Sequence, residues 1–253
     1  MIRLERGECP VELSDEVVQE LTEKYKNDNE DDVWNSPKIK KPLKDALTRM
    51  TNSKCAYCEC KLNLESKDTT IDHFLPKVSN DSLVVRWTNL LPSCLRCNRA
   101  KNRKEDEIIN PCNVDPKKHL GVKKTSFRLT EINNSALGKN TIRVLKLNDI
   151  ERIMIPRQIV TERIIEKLLE LLEDVEDLQE IKSKHIHRLE CYLSEGLKDK
   201  EYSAVVAAKV LDEDTFQKLK VMYQNKGLWN SNLQRIEQEL IEVALVVKQI
   251  NHS

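Results

Sequence analysis

An α+β, mainly helical fold is what this sequence predicts, and three features predict it. Hydrophobic residues make up 39% and charged residues 33% of 253 positions, with only 5 glycines. That is a helix-leaning composition with enough apolar material for a core. The second half carries apolar residues at a helical period, whereas the middle is aperiodic, cysteine-rich and holds short β-branched runs. The expected organisation is an N-terminal helical segment over 1–50, a compact core over 51–155 and a C-terminal helical region over 156–253.

Residues 14–26, SDEVVQELTEKYK, put Val17, Leu21 and Tyr25 on one helical face, with Ser14 or Asp15 to cap it. A polar break follows at 27–37, and PLKDALTRM (42–50) reads as a short helix. Strand-like stretches at 69–74 and 83–87 precede a helix that starts near Cys94. Residues 109–122 read as loop from their turn residues and prolines. SFRLTEI and TIRVLKL have alternating β-type character and predict a hairpin across NNSALGKN. From Pro156 the period turns helical, with Ile164, Leu168, Leu171, Leu172 and Val175 on one face. Further helices are expected at 180–195, 202–210, 212–224 and 230–250, the last capped by Asn230.

The formal charge is zero, from 42 basic and 42 acidic residues, so the whole molecule gives no argument for a nucleic-acid partner. No apolar run approaches the ~20 residues of a membrane span, and the start MIRLERGE is no secretory signal. A cytoplasmic, non-membrane protein is the expectation.

Eight cysteines are present. Without an export signal a disulfide framework is the poorer reading. Cys55 and Cys58, then Cys94 and Cys97, form two C-x-x-C pairs, and four thiolates satisfy tetrahedral Zn²⁺. About 35 residues separate the pairs, more than in common zinc ribbons, so the loop houses something. Cys60 reads as a spare thiol beside the first pair. Cys9, Cys112 and Cys191 are expected as buried small hydrophobes. His187 and Cys191 share a helix face but lack a third ligand, and read as ordinary helix residues.

Inside the frame come Asp72-His73, then Asn89, then Asn98 opening the basic run CLRCNRAKNRK (94–104). This ordered set resembles the HNH endonuclease family, whose ββα-metal motif is often wrapped around a four-cysteine zinc site. Phosphodiester cleavage needs a water, a base for its proton and a cation near the leaving oxygen. His73 suits the base. Asp72 and Asn98 offer hard oxygens to Mg²⁺ or Mn²⁺. Adjacent strand residues point to opposite faces, so a strand end or bulge at 72–73 is expected to re-aim one of them. The resemblance implies that Asn89 pins the loop presenting the histidine, and Asn98 stands where the name-giving pattern has His. Arg99, Lys101 and Lys77 are the candidates for phosphate contact, giving affinity without base readout.

The wider text narrows this. CAYCE, IDHFLPK, WTNLLPSCLRCNRAK, the following NPC and the later TIRVLKLN resemble the HNH subunits (PtuB) of the Septu anti-phage system, which also occur with some retrons. That resemblance implies a bacterial nuclease acting with a PtuA-like ATPase on nucleic acid, DNA as the usual target and tRNA for some retron-linked members. The family often has Glu where Asp72 stands; both are carboxylates. The acidic block at 170–180 would repel nucleic acid and suit a basic partner surface, or simply form a solvated helix exterior. Two other readings stand beside the nuclease: a zinc-stabilised adaptor that binds nucleic acid or the ATPase without cutting, and a nuclease acting alone. The last calls for a DNA-reading module that the sequence does not display.

Overall fold

A computed structural model describes residues 1–27, 32–62 and 69–249. Among them the chain is mainly helical with two small sheets. Helix α1 (Asp15–Asn27) starts where Ser14 Oγ accepts from Val17 N, and it buries Val18 and Leu21. Helix α2 (Lys40–Met50) buries Leu43, Ala46 and Leu47. Both pack with Val84, Val85, Trp87 and Leu90 into one hydrophobic cluster. The polar stretch expected at 27–37 lies partly outside the described residues.

Strand β1 (Thr69–His73) pairs antiparallel with β2 (Leu90–Cys94), in a regular register from Thr69 opposite Cys94 to His73 opposite Leu90. The second strand is therefore LLPSC and not 83–87, which forms tight helical turns around Asp81–Leu83 and Trp87–Asn89. A proline is admissible here because the sheet has only two strands and each has a free edge. Its carbonyl accepts from Ala56 N at 2.9 Å, tying the first cysteine pair to the sheet. Helix α3 (Leu95–Lys101) follows immediately and stops at Asn102, which holds φ 49°. Asparagine tolerates this left-handed geometry at a helix end.

The expected hairpin at 126–147 is corrected by the structure. Strand β4 (Leu129–Glu131) does form, but it pairs with β3 (Leu120–Lys123), most of which falls in the 109–122 stretch expected as loop. TIRVLKL instead belongs mostly to helix α4 (Ala136–Val144), because Ser135 Oγ caps Gly138 N at 3.0 Å and starts a helix. Gly121 in β3 has no room for a side chain, since a Cβ would sit 2.8 Å from Val246 O.

Helix α5 (Ile155–Val175) buries the expected face of Ile164, Leu168, Leu171, Leu172 and Val175. Helices α6 (Ser183–Ser194), α7 (Ser203–Asp212), α8 (Asp214–Asn225) and α9 (Ser231–Val243) complete the region. Asn230 caps α9 through Leu233 N at 2.8 Å. That helix is shorter than expected: the chain turns extended and Val246–Lys248 forms β5, parallel to β3. The α7 helix is the central one, buried at nearly every position. One hydrophobic cluster runs continuously from the cysteine region through α4 and α5 to α9. Glu59 reinforces that junction, accepting from Lys54 Nζ at 3.3 Å, Ser203 Oγ at 2.6 Å and the Met1 amino group.

Candidate nuclease site

The cysteine frame assembles as its spacing requires. The sulfurs of Cys55, Cys58, Cys94 and Cys97 lie within 4.8 Å of one another and are all buried. Tetrahedral zinc at ~2.3 Å from each sulfur puts neighbouring sulfurs about 3.8 Å apart. Cys58 and Cys94 are separated by 3.8 Å. Four thiolates around Zn²⁺ would carry a net negative charge, which the partly buried Arg96 beside them, its Nη1 without a hydrogen-bond partner among the described residues, would offset. Cys60 is buried next to the set but is not one of the four. The expected burial of Cys9 and Cys191 is corrected: both are exposed, and Cys112 is half-buried. Cys191 lies on the outer side of α6, opposite the buried Leu189 and Leu193, with His187 Nε2 at 3.5 Å.

The ladder between β1 and β2 is regular to its last pair, so no bulge re-aims Asp72 or His73. Strict alternation holds, and the two side chains serve opposite faces of β1.

His73 is 9% exposed. Its Nε2 lies 2.7 Å from Val84 O, and a carbonyl only accepts, so Nε2 carries the proton and Nδ1 keeps the lone pair. Burial pushes its pKa down from 6.5 to about 4, and the charges of Lys77 and Lys101 act in the same direction. The imidazole is thus neutral at physiological pH. Trp34, from the tight turn at Val33–Asn35, meets the ring edge-on with centroids 4.7 Å apart. Lys77 lies over Trp34 at 4.3 Å and over Tyr25 at 5.2 Å, so its ammonium is held in an aromatic seat next to the histidine.

Asn89 Oδ1 accepts from Leu75 N at 2.7 Å. Its Nδ2 donates to Leu75 O at 3.1 Å and to Leu83 O at 3.2 Å. Three bonds from one buried amide close the 75–83 loop that brings Val84 to the histidine.

On the other face of β1, helix α3 runs alongside Thr70 and Asp72. Asn98 Nδ2 donates to Thr70 Oγ1 at 3.0 Å, and its Oδ1 has no hydrogen-bond partner among the described residues. One turn on, Lys101 Nζ reaches Asp72 Oδ1 at 3.4 Å and His73 O at 2.6 Å. Tyr57, the residue inside the first C-x-x-C pair, donates its hydroxyl to Asp72 Oδ2 at 2.5 Å. Thr70 and Asp72 are two residues apart on the same face, roughly 7 Å along the strand, so Asp72 and Asn98 share one side of the sheet within side-chain reach. Burial raises the Asp72 pKa, while Lys101 and the Tyr57 hydroxyl pull it back down.

Lys101 as a phosphate contact is corrected by this geometry. It is 2% exposed, and its ammonium is spent on Asp72 and a backbone carbonyl. Arg99, on the outer side of α3, is exposed, as are Arg103 and Lys104 beyond it. Tyr57 and Trp34 were not singled out for any site role in the sequence. Tyr57 had a signal in its position between two zinc ligands; Trp34 is joined to the site only by tertiary packing.

The donor set of Asp72 and Asn98, a carboxylate and an amide oxygen, fits a hard divalent ion rather than a soft one. Among the described residues no helix is long and apolar enough to cross a membrane.

Residues 55–104 match the HNH endonuclease family. A Septu protein PtuB of Bacillus thuringiensis is 37% identical over 246 residues, covering 93% of this chain and 92% of that protein. The chain belongs to the Septu PtuB family. A second PtuB, of Bacillus mycoides (strain KBAB4), is 31% identical over 139 residues, 42% of this chain and 46% of that one. No solved structure matches the chain. PtuB membership extends over N-terminal and C-terminal elements alike, whereas the HNH match is confined to the zinc frame, β1, β2 and α3.

Proposed function

We propose that this chain is the nuclease subunit of a Septu-type anti-phage complex, a divalent-metal-dependent HNH endonuclease that hydrolyses phosphodiester bonds and works with a PtuA-like ATPase. Its site is the cytoplasm, and its target is DNA, with tRNA as the second candidate. The reading divides the work among residues 1–50, 51–155 and 156–253 as positioning segment, nuclease core and partner-facing helices.

The observation that supports the proposal is the state of His73: a neutral imidazole with a fixed tautomer, one residue along β1 from a carboxylate that shares the opposite face with an amide. Its Nδ1 lone pair takes the proton of the attacking water. The bond from Nε2 to Val84 O fixes the ring, and Asn89 fixes the loop that supplies this carbonyl. Asp72 and Asn98 would hold Mg²⁺ or Mn²⁺, which supplies positive charge at the leaving oxygen and a more acidic bound water. Arg99 contacts phosphate from the open side of α3, and Lys77 does so from its aromatic seat.

One observation favours the second reading, a binding adaptor without cleavage: both Asp72 oxygens already have partners. The two are separated by incubating the purified chain, with and without its ATPase subunit, with duplex DNA or tRNA and Mg²⁺ or Mn²⁺. The nuclease reading expects metal-dependent cutting that His73→Ala lowers by about 10²–10⁴-fold and that Asp72→Ala and Asn98→Ala abolish, with zinc content unchanged. Cutting that survives His73→Ala contradicts it, and tight binding without any cutting establishes the adaptor.

A further inference from the structure

The Asp72 carboxylate is where the proposed cation would bind, yet it already faces a positive charge. Lys101 Nζ lies 3.4 Å from Oδ1, and both side chains are almost fully buried, at 2% and 3% exposure. An ammonium in that position is not a surface arm resting on a neighbour. Residue 101 ends α3, and the chain turns away at Asn102, whose N–H closes on Asn98 O at 2.8 Å. The lysine stem therefore points inward from the same helix face as Asn98, three residues earlier. The second contact of Nζ, at 2.6 Å, is the main-chain carbonyl of His73.

We propose that Lys101 is the resident counter-cation of Asp72 and sets the divalent-metal affinity of the nuclease site. With no metal bound it neutralises a carboxylate that burial otherwise makes costly to leave charged. Carboxylate oxygens have spare lone pairs, but a monovalent and a divalent cation a few ångströms apart in a buried site repel strongly. Metal entry thus requires the ammonium to withdraw from Oδ1. The same group holds the carbonyl of His73, so withdrawal also releases the strand end that carries the base. One side chain links occupation of the cation site on one face of β1 to the histidine on the other. This inference rests on the metal-dependent reading above and adds a residue that the reading does not use.

The test is Mn²⁺ binding to the zinc-loaded full chain, followed by electron paramagnetic resonance, for wild type, Lys101→Met, Asp72→Asn and the double variant. The expected result is affinity tightened by about tenfold or more in Lys101→Met, since the repulsion is lost, and loss of that gain in the double variant. Removing the lysine strands a buried carboxylate, so a second measurement uses the wild type alone. Acylation of lysines by an N-hydroxysuccinimide ester, mapped by mass spectrometry, should leave Lys101 protected without Mn²⁺ and label it when Mn²⁺ is present. Unchanged or weaker Mn²⁺ binding in a well-folded Lys101→Met, with Asp72→Asn still abolishing binding, overturns the counter-cation role and leaves the metal-dependent reading intact. Lys101 labelling indifferent to Mn²⁺ overturns it too. Absence of specific Mn²⁺ binding in both wild type and Lys101→Met overturns the two together.

Discussion

The two faces of β1 solve opposite electrostatic problems within one residue step. On the α3 face, burial raises the Asp72 pKa, and the Lys101 ammonium and the Tyr57 hydroxyl oppose that rise. On the opposite face, His73 is kept uncharged by burial against Trp34 and by two nearby lysines. Burial favours a neutral imidazole and penalises an ionised carboxylate, whereas the Lys101 ammonium lowers the pKa of both groups. Strand alternation gives the two groups different surroundings, and the Asp72 and His73 side chains diverge with no bulge to bring them together.

The four-cysteine frame ties β2 and α3 together, and the largest effect is expected from removing the zinc we propose it binds. Cys94 belongs to the four-cysteine set, ends β2 and caps α3 at once. Structural zinc contributes on the order of 10 kcal/mol or more to such a fold. Cys94→Ser, or chelation of the wild type, should abolish the cooperative thermal transition of the core. A variant that melts normally without zinc would show that the hydrophobic cluster alone orders the faces.

Acid should act on the two faces in a way that a variant isolates. The folded-state pKa of His73 is about 4 against an ordinary 6.5. Between those values the unfolded chain binds a proton that the folded chain refuses, so stability is full above pH 6.5 and falls as pH drops toward 4. The loss amounts to about 3 kcal/mol from this group. Denaturant melts at pH 7 and pH 4.5 should show a smaller acid loss in His73→Phe than in wild type. Equal losses would mean that the imidazole is not held neutral by burial. Below that in size is Tyr57→Phe, which removes one hydrogen bond from a buried carboxylate and should cost about 1–3 kcal/mol. It should leave the histidine face untouched, as read from the Trp34 contribution to near-ultraviolet circular dichroism.

Much of this site was legible in the sequence because covalent spacing encodes it. Two C-x-x-C pairs specify a tetrahedral frame, and the apolar face of α5 and the Asn230 cap follow from local rules. The assignment of a strand to 83–87 failed because the true strand contains Pro92, which local propensity penalises and a two-stranded sheet tolerates. TIRVLKL failed because one serine cap outweighed β propensity. The inward position of Lys101 is hidden from the sequence for a different reason. A run of basic residues suggests a solvated face, but its spacing of three from Asn98 puts it on the inward side of a helix whose orientation only the tertiary structure fixes. Trp34 reaches the histidine from outside its own hairpin and Val84 from the long connection between β1 and β2, and no short stretch of sequence records such contacts. In the C-terminal region the helices were legible and the use of their acidic exterior was not; Asp174 pairs with Arg188, while Glu170, Glu173 and Glu176 stay exposed.

The division of labour across β1 is tested most directly by measuring Mn²⁺ affinity and cleavage side by side in His73→Ala and Asp72→Asn, both checked for zinc content. The account predicts that His73→Ala binds Mn²⁺ as the wild type does and does not cut, whereas Asp72→Asn neither binds nor cuts. Loss of Mn²⁺ affinity in His73→Ala equal to that in Asp72→Asn would contradict it, because the histidine would then belong to the cation site and the two faces would be one.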